Sequence, residues 1–168
     1  MADRIDSSLA MFFAKESASA ARNRVYAQLA KKDGDNVMSN LLNALATAEE
    51  VHARRALMHL RGKTGELDEY YESLLESKRE AFSTEFPEIS KKFEEKGRKT
   101  PAEMFAQFGK VAENHYNLLE QTRNEGQEAS RTFYVCQVCG YISTDCAPEK
   151  CPVCGAVQSR FKLEEGLR

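Results

Sequence analysis

Apolar side chains recur at intervals of three and four over most of the first 125 residues, the period of an α-helix that buries one face. From residue 7 to about 31, Leu9, Phe12, Phe13, Glu16, Ala20, Asn23 and Ala27 share one side at about 100° per residue, with Glu16 inside the apolar stripe. Asp33, Gly34, Asp35 and Asn36 form a turn and then a helix start. A second helix, from Val37 to about Leu60, lines up Met38, Leu41, Leu45, Glu49, His52, Ala56 and His59. Arg61 to Gly65 breaks the pattern. A third helix from about Leu67 to Glu95 carries Tyr71, Leu75, Phe82, Phe86, Ile89 and Phe93 in register, with a kink expected at Pro87. The fourth, with Thr100 as N-cap, Pro101 at N1 and Glu103 at N3, runs to about Asn124 and turns Phe105, Phe108, Ala112, His115 and Leu119 inward. Four amphipathic helices joined mostly by short connections predict a mainly α, up-down four-helix bundle.

Beyond the polar stretch Glu125 to Ser130 the helical period stops and cysteine takes over. All five cysteines lie here: two CxxC pairs, Cys136/Cys139 and Cys151/Cys154, with Cys146 between them. Gly140 and Gly155 follow the second cysteine of each pair, where positive φ lets backbone N–H groups face the sulfurs. Two such knuckles make a tetrahedral four-sulfur cage for zinc or iron. The cage needs only four thiols, which leaves Cys146 as a spare.

Composition narrows the partners. With 168 residues, 42% hydrophobic and 30% charged, and a net charge of -2, the chain has no electrostatic case for nucleic acid or an anionic membrane. Its first residues lack the basic and apolar regions of a secretory signal, and no apolar run could span a bilayer, so a cytoplasmic location is expected.

A bundle core should be aliphatic and aromatic, yet Glu16, Glu49, His52 and His115 all fall on inward faces. A buried carboxylate is costly unless it meets a cation. Phe13-Ala-Lys-Glu16-Ser with Ala21-Arg-Asn-Arg24, the Ala48-Glu49-Glu-Val-His52-Ala segment, Phe86-Pro87-Glu, and the closing CxxCGY and CPxCG resemble the rubrerythrins over nearly the whole chain. The resemblance implies a ferritin-like bundle over residues 1–130 and a rubredoxin-like domain over 131–168. It further implies iron at Cys136, Cys139, Cys151 and Cys154 and a carboxylate-bridged di-iron centre in the bundle, for which this chain's own ligands leave one or two non-haem irons. The expected activity is peroxide reduction in oxidative-stress defence, with electrons from a reductase entering through the sulfur-ligated iron. A homodimer is implied as well, each cysteine module serving the partner's helices.

Carried over residue by residue, the bundle ligands include Glu16 from the first helix and Glu49 and His52 from the second. The third helix departs from the pattern: Lys78 and Ala81 stand where the family has glutamates, while Glu76 and Glu80 point away from the core at regular helical spacing. In the fourth, Ala112 occupies the glutamate position three before His115, and Glu113 would need a local π-bulge to turn inward. Glu16, Glu49, His52 and His115 suffice for one divalent cation, unless Glu16 instead pairs with Lys78 and the others form hydrogen-bonded core contacts. Two function classes follow: a peroxide-reducing enzyme, or an electron carrier or redox sensor working through the cysteine-bound metal above a degenerate bundle.

Overall fold

The computed structural model describes residues 2–60, 66–125 and 131–164, so the expected break at Arg61 to Gly65 and most of the polar linker before Ser130 lie outside the described residues. The chain forms two compact units, residues 1–66 and 67–168.

The first unit is a helical hairpin of α1 (Ala2–Lys32) and α2 (Asn36–Leu60). Gly34 turns the chain at φ 86°, and the Asp35 N–H reaches back to the Ala30 carbonyl at 2.9 Å, closing α1. Asp35 then caps α2 by accepting from the Met38 N–H at 2.9 Å. The seam between the helices is built of small residues: Ala20 and Ala27 meet a partner surface containing Ser39, Ala46, Ala53 and Ala56, all buried. Small side chains let the backbones approach closely, and the larger apolar residues are left outside the seam.

In the second unit the expected third helix divides. Its first part, α3 (Leu67–Glu80), passes through a π-helical turn at Ala81–Glu85 into α4 (Phe86–Glu95). Pro87, just inside α4, has no N–H to offer the preceding turn, and the wide turn absorbs that loss where a simple kink was expected. Gly97 at φ 69° ends α4, with the Arg98 N–H on the Phe93 carbonyl at 2.9 Å. The fourth expected helix is α5 (Lys99–Glu125). It starts two residues earlier than its cap signals indicated. The Ala102 N–H already bonds the Arg98 carbonyl, which puts Thr100 and Pro101 within the first turn rather than at N-cap and N1. Pro101 is tolerated there because first-turn N–H groups have no intrahelical partner.

Phe105 of α5 lies at the centre of an aromatic cluster, stacked on Phe93 at 5.7 Å between centroids and packed against Phe86 and Phe108 at 6.0 and 5.8 Å. Nearby, buried Ser90 donates to the Ala102 carbonyl at 2.8 Å. The cysteine module follows as an antiparallel sheet of β1 (Phe133–Cys136), β2 (Ile142–Thr144) and β3 (Phe161–Glu164) in the order β2-β1-β3. Strand β1 pairs Phe133 with Thr144 on one side and Cys136 with Phe161 on the other. Among the described residues no helix is long and apolar enough to cross a membrane.

The cluster sets an expected outcome. Phe105→Ala should destabilise the protein by about 3 kcal/mol in denaturant unfolding followed by circular dichroism, because it removes ring contacts with three neighbours. A loss below about 1 kcal/mol would show that α4 and α5 are held by other contacts.

Candidate metal centre

The knuckle backbone brings four sulfurs together before any metal is considered. Gly140 and Gly155, at φ 84° and 73°, each donate their N–H to the carbonyl of the first cysteine of their own pair, Cys136 and Cys151, at 2.9 Å. The N–H of Cys136 bonds the Tyr141 carbonyl at 2.9 Å, and that of Cys151 bonds the Ala156 carbonyl at 2.8 Å, so the two loops are alike. The sulfurs of Cys136 and Cys154 are 3.7 Å apart and those of Cys139 and Cys151 3.5 Å, all four within 4.8 Å of one another. Such spacing is too long for disulfides and suits the edges of a tetrahedron around one ion.

The electrostatics agree. Burial pushes the thiols of Cys139 and Cys154 above the ordinary range. It acts in the same direction on Cys136, but there the backbone N–H groups of Cys139 and Val138 and contacts with neighbouring thiols win and bring the value down. A cage whose amides favour a thiolate while its walls resist further charge suits a bound cation, which keeps all four sulfurs ionised. Cys146 stands apart and exposed.

This cage is docked on α5. Val111 packs in one buried cluster with Cys136, Cys139 and Cys151, and Asn114 accepts the Ile142 N–H at 3.0 Å. His115 meets the Gly140 carbonyl at 2.9 Å through Nε2. A carbonyl can only accept, so Nε2 carries the proton and Nδ1 keeps the ring's free lone pair. Burial holds the imidazole below its usual pKa; the Gly140 bond opposes this in part, and the Lys78 ammonium adds to the lowering. Lys78 and His115 line one side of an open, largely apolar cavity of about 500 Å³ together with Tyr71, Leu74, Leu118 and Phe133.

The other carboxylate and imidazole candidates lie on the α1–α2 hairpin. Glu16 accepts from His52 Nδ1 at 2.8 Å, with the Glu16 side chain mostly covered and His52 half exposed. Glu49 takes a hydrogen bond on each oxygen, from Ser19 Oγ and from Asn23 Nδ2, both at 2.8 Å. Ser19 was not apparent in the sequence as part of the site; its only signal is its place one turn after Glu16. Arg24 closes the row with an exposed bidentate pair to Glu50, at 2.8 and 3.0 Å from one guanidinium nitrogen.

The doubtful acids take clear positions. Glu76 and Glu80 are exposed, Glu76 pairing with Arg79 at 3.3 Å. Glu113 is exposed, while Ala112 beside it is buried, and α5 remains a regular helix there. The π-turn occurs on the third expected helix. Tyr71 donates to the Leu119 carbonyl and Tyr116 to Glu120, each at 2.7 Å, so neither serves the candidate ligands. Among the described residues, the four cysteines are the one group of three or more whose ligand atoms converge.

Comparison with known proteins agrees with this geometry. Residues 134–162 match the family described as "Rubrerythrin, rubredoxin-like domain". The chain is 31% identical over 173 residues to the rubrerythrin of Porphyromonas gingivalis, covering 92% of this chain and 86% of that protein. It is 27% identical over 179 residues to the rubrerythrin of Nitratidesulfovibrio vulgaris, covering 95% and 94%. The solved structure of fully reduced, all-ferrous nigerythrin superposes with a TM-score of 0.57 at 21% identity, covering 95% of this chain and 86% of that one, and so shares its fold of ferritin-like helices followed by a rubredoxin-like module. With four thiols in rubredoxin-like knuckles and relatedness over nearly its full length, the chain belongs to the rubrerythrin family of non-haem iron proteins.

Proposed function

We propose that the protein is a peroxide-reducing oxidoreductase that takes electrons through iron at Cys136, Cys139, Cys151 and Cys154 and delivers them to a single metal ion in the bundle. The ligands proposed for that ion are Glu16, Glu49, His52 and the free Nδ1 of His115. The observation that carries the reading is the bond from His115 Nε2–H to the Gly140 carbonyl, because Gly140 directly follows Cys139. A candidate bundle ligand is thereby joined through one hydrogen bond to the backbone of a sulfur ligand.

Iron in a four-thiolate site supplies one electron at a time, and reducing a peroxide to water takes two electrons and two protons. An external reductase must therefore reload the cysteine site within each turnover. The chain's own residues hold the sulfurs, fix the His115 tautomer and keep water from the buried Val111 side of the cage. One bundle ion, rather than two, follows from Lys78, Ala81 and Ala112 standing where the family pattern calls for bridging or terminal glutamates. A homodimer and a cytoplasmic location complete the reading.

A second reading is favoured by one arrangement. Glu49 is satisfied on both oxygens by Ser19 and Asn23, and Glu16 by His52, so these acids have partners without any metal. The protein would then be an electron carrier or redox sensor acting through the cysteine site alone. Iron per chain separates the readings: two for the single-metal enzyme, one for the carrier.

Purified in air from iron-rich medium, the protein is expected to be red and to bleach on reduction, and Cys139→Ser should abolish the colour. A colourless protein holding one zinc per chain would overturn the iron assignment. In the bundle, Lys78→Glu combined with Ala112→Glu removes a cation and restores two acids. This variant is expected to raise metal beyond the cysteine site toward two per chain in elemental analysis; unchanged content would rule out Lys78 as the group excluding a second ion.

A further inference from the structure

The peptide group between Gly140 and Tyr141 stands between α5 and the sulfur cage, and its surroundings fix its orientation. The Gly140 N–H before it and the Tyr141 carbonyl after it are each bonded to the backbone of Cys136 at 2.9 Å. Among the described residues no peptide bond is cis, and in a planar trans peptide the C=O and N–H point in opposite directions. The Gly140 carbonyl turns outward to α5, where His115 Nε2–H donates to it at 2.9 Å. The N–H of the same peptide therefore points back into the cage, where Tyr141 donates it to the Cys139 sulfur.

Hydrogen bonds in series polarise one another. A proton donated to a peptide carbonyl draws electron density toward that oxygen and leaves the N–H of the same peptide more positive, an effect of about 10–30% per bond. Conditions here favour it: His115 is half-buried, Cys139 is buried in one cluster with Val111, and a Cβ on Gly140 would lie 3.9 Å from Val111 Cγ1, so helix and loop are in contact with little room for water. Asn114, one residue before His115, makes a different link. It accepts from the Ile142 N–H at 3.0 Å, and the carbonyl of that peptide, on Tyr141, leads to the Cys136 N–H and not to a sulfur.

We propose that His115 is a positioning residue for the cysteine site: through the single peptide Gly140–Tyr141 it strengthens the N–H donated to the Cys139 sulfur and so raises the reduction potential of the iron held there. The sign follows from charge. A four-thiolate site is one unit more negative with ferrous than with ferric iron, so a stronger donor to sulfur favours the reduced form. A centre set in this way takes an electron from its reductase more readily. The inference rests on iron at the cysteine site and on nothing further in the reading above, since His115 acts in it whether or not its Nδ1 holds an ion.

The test is the reduction potential of the iron-loaded, full-length protein, read by optical titration. His115→Leu removes the donor and is expected to shift the one-electron equilibrium about threefold toward the oxidised form, which is about 28 mV at 59 mV per tenfold. His115→Gln can offer an amide N–H to the same carbonyl and should keep the potential within half of that shift. Asn114→Ala loosens the seat of the module on α5 without touching the relay, and should likewise leave the potential in place. Equal potentials for the parent and His115→Leu would overturn the proposal. So would a fall in His115→Gln as large as in His115→Leu, or an equal fall in Asn114→Ala, which would assign the effect to docking. A second measurement needs no substitution. In the full-length chain loaded with cadmium-113, NMR should show coupling from the metal to the Tyr141 amide proton across the Cys139 sulfur, and a His115 ring protonated at Nε2. The absence of either overturns the relay, and this readout stands even if the iron assignment fails.

Discussion

Four sulfurs held within 4.8 Å impose the condition on which the rest of this molecule depends: ionised together, they repel one another unless a cation sits between them. The knuckles meet that condition by geometry, with positive-φ glycines aiming amides at the cage, and by docking, since three of the four cysteines share a buried cluster with Val111. Docking fixes the module to α5, and α5 in turn carries Asn114 and His115 at the height of the Gly140 loop. A change at the cage is therefore felt by the helix, and a side chain on the helix touches the loop that holds a sulfur ligand.

The bundle candidates live under a different constraint. Glu16 and Glu49 sit on a hairpin whose seam is made of alanine and serine, so their neighbours across it are short and polar, and hydrogen bonds from Ser19, Asn23 and His52 satisfy them. Such bonds hold a carboxylate ready for a cation as well as they hold it without one. In the sequence of the second unit a lysine and two alanines stand where the family pattern has glutamates, which lowers the negative charge the proposed bundle site would offer a cation. The sequence thus keeps the family's cysteine pattern in full and its helical ligand pattern in part.

What could be read from the sequence divides along the same line. The cysteine knuckles were legible because their geometry is local: CxxCG specifies its own turn, whatever lies around it. The helices were legible from apolar spacing, and Asp35 as a start signal from its short side chain. Three features were not. The π-turn at Ala81–Glu85 depends on how α3 accommodates Pro87 while packing on α5, a tertiary matter. The start of α5 at Lys99 moved the cap signals inside the helix by two positions. The partners of Glu49 come from another helix, and no spacing within α2 announces them.

The π-turn has a consequence for how this chain tolerates length changes. A wide turn holds about one residue more than a regular helix would use over the same span, and each residue advances the helix by about 100°. Loss of one residue from Ala81–Glu85 would close the wide turn into an ordinary one and leave Phe86 and Phe93 on the side that meets Phe105. The wide turn is thus slack in the chain: it takes up a residue without changing the side that the aromatic half of the helix presents to α5.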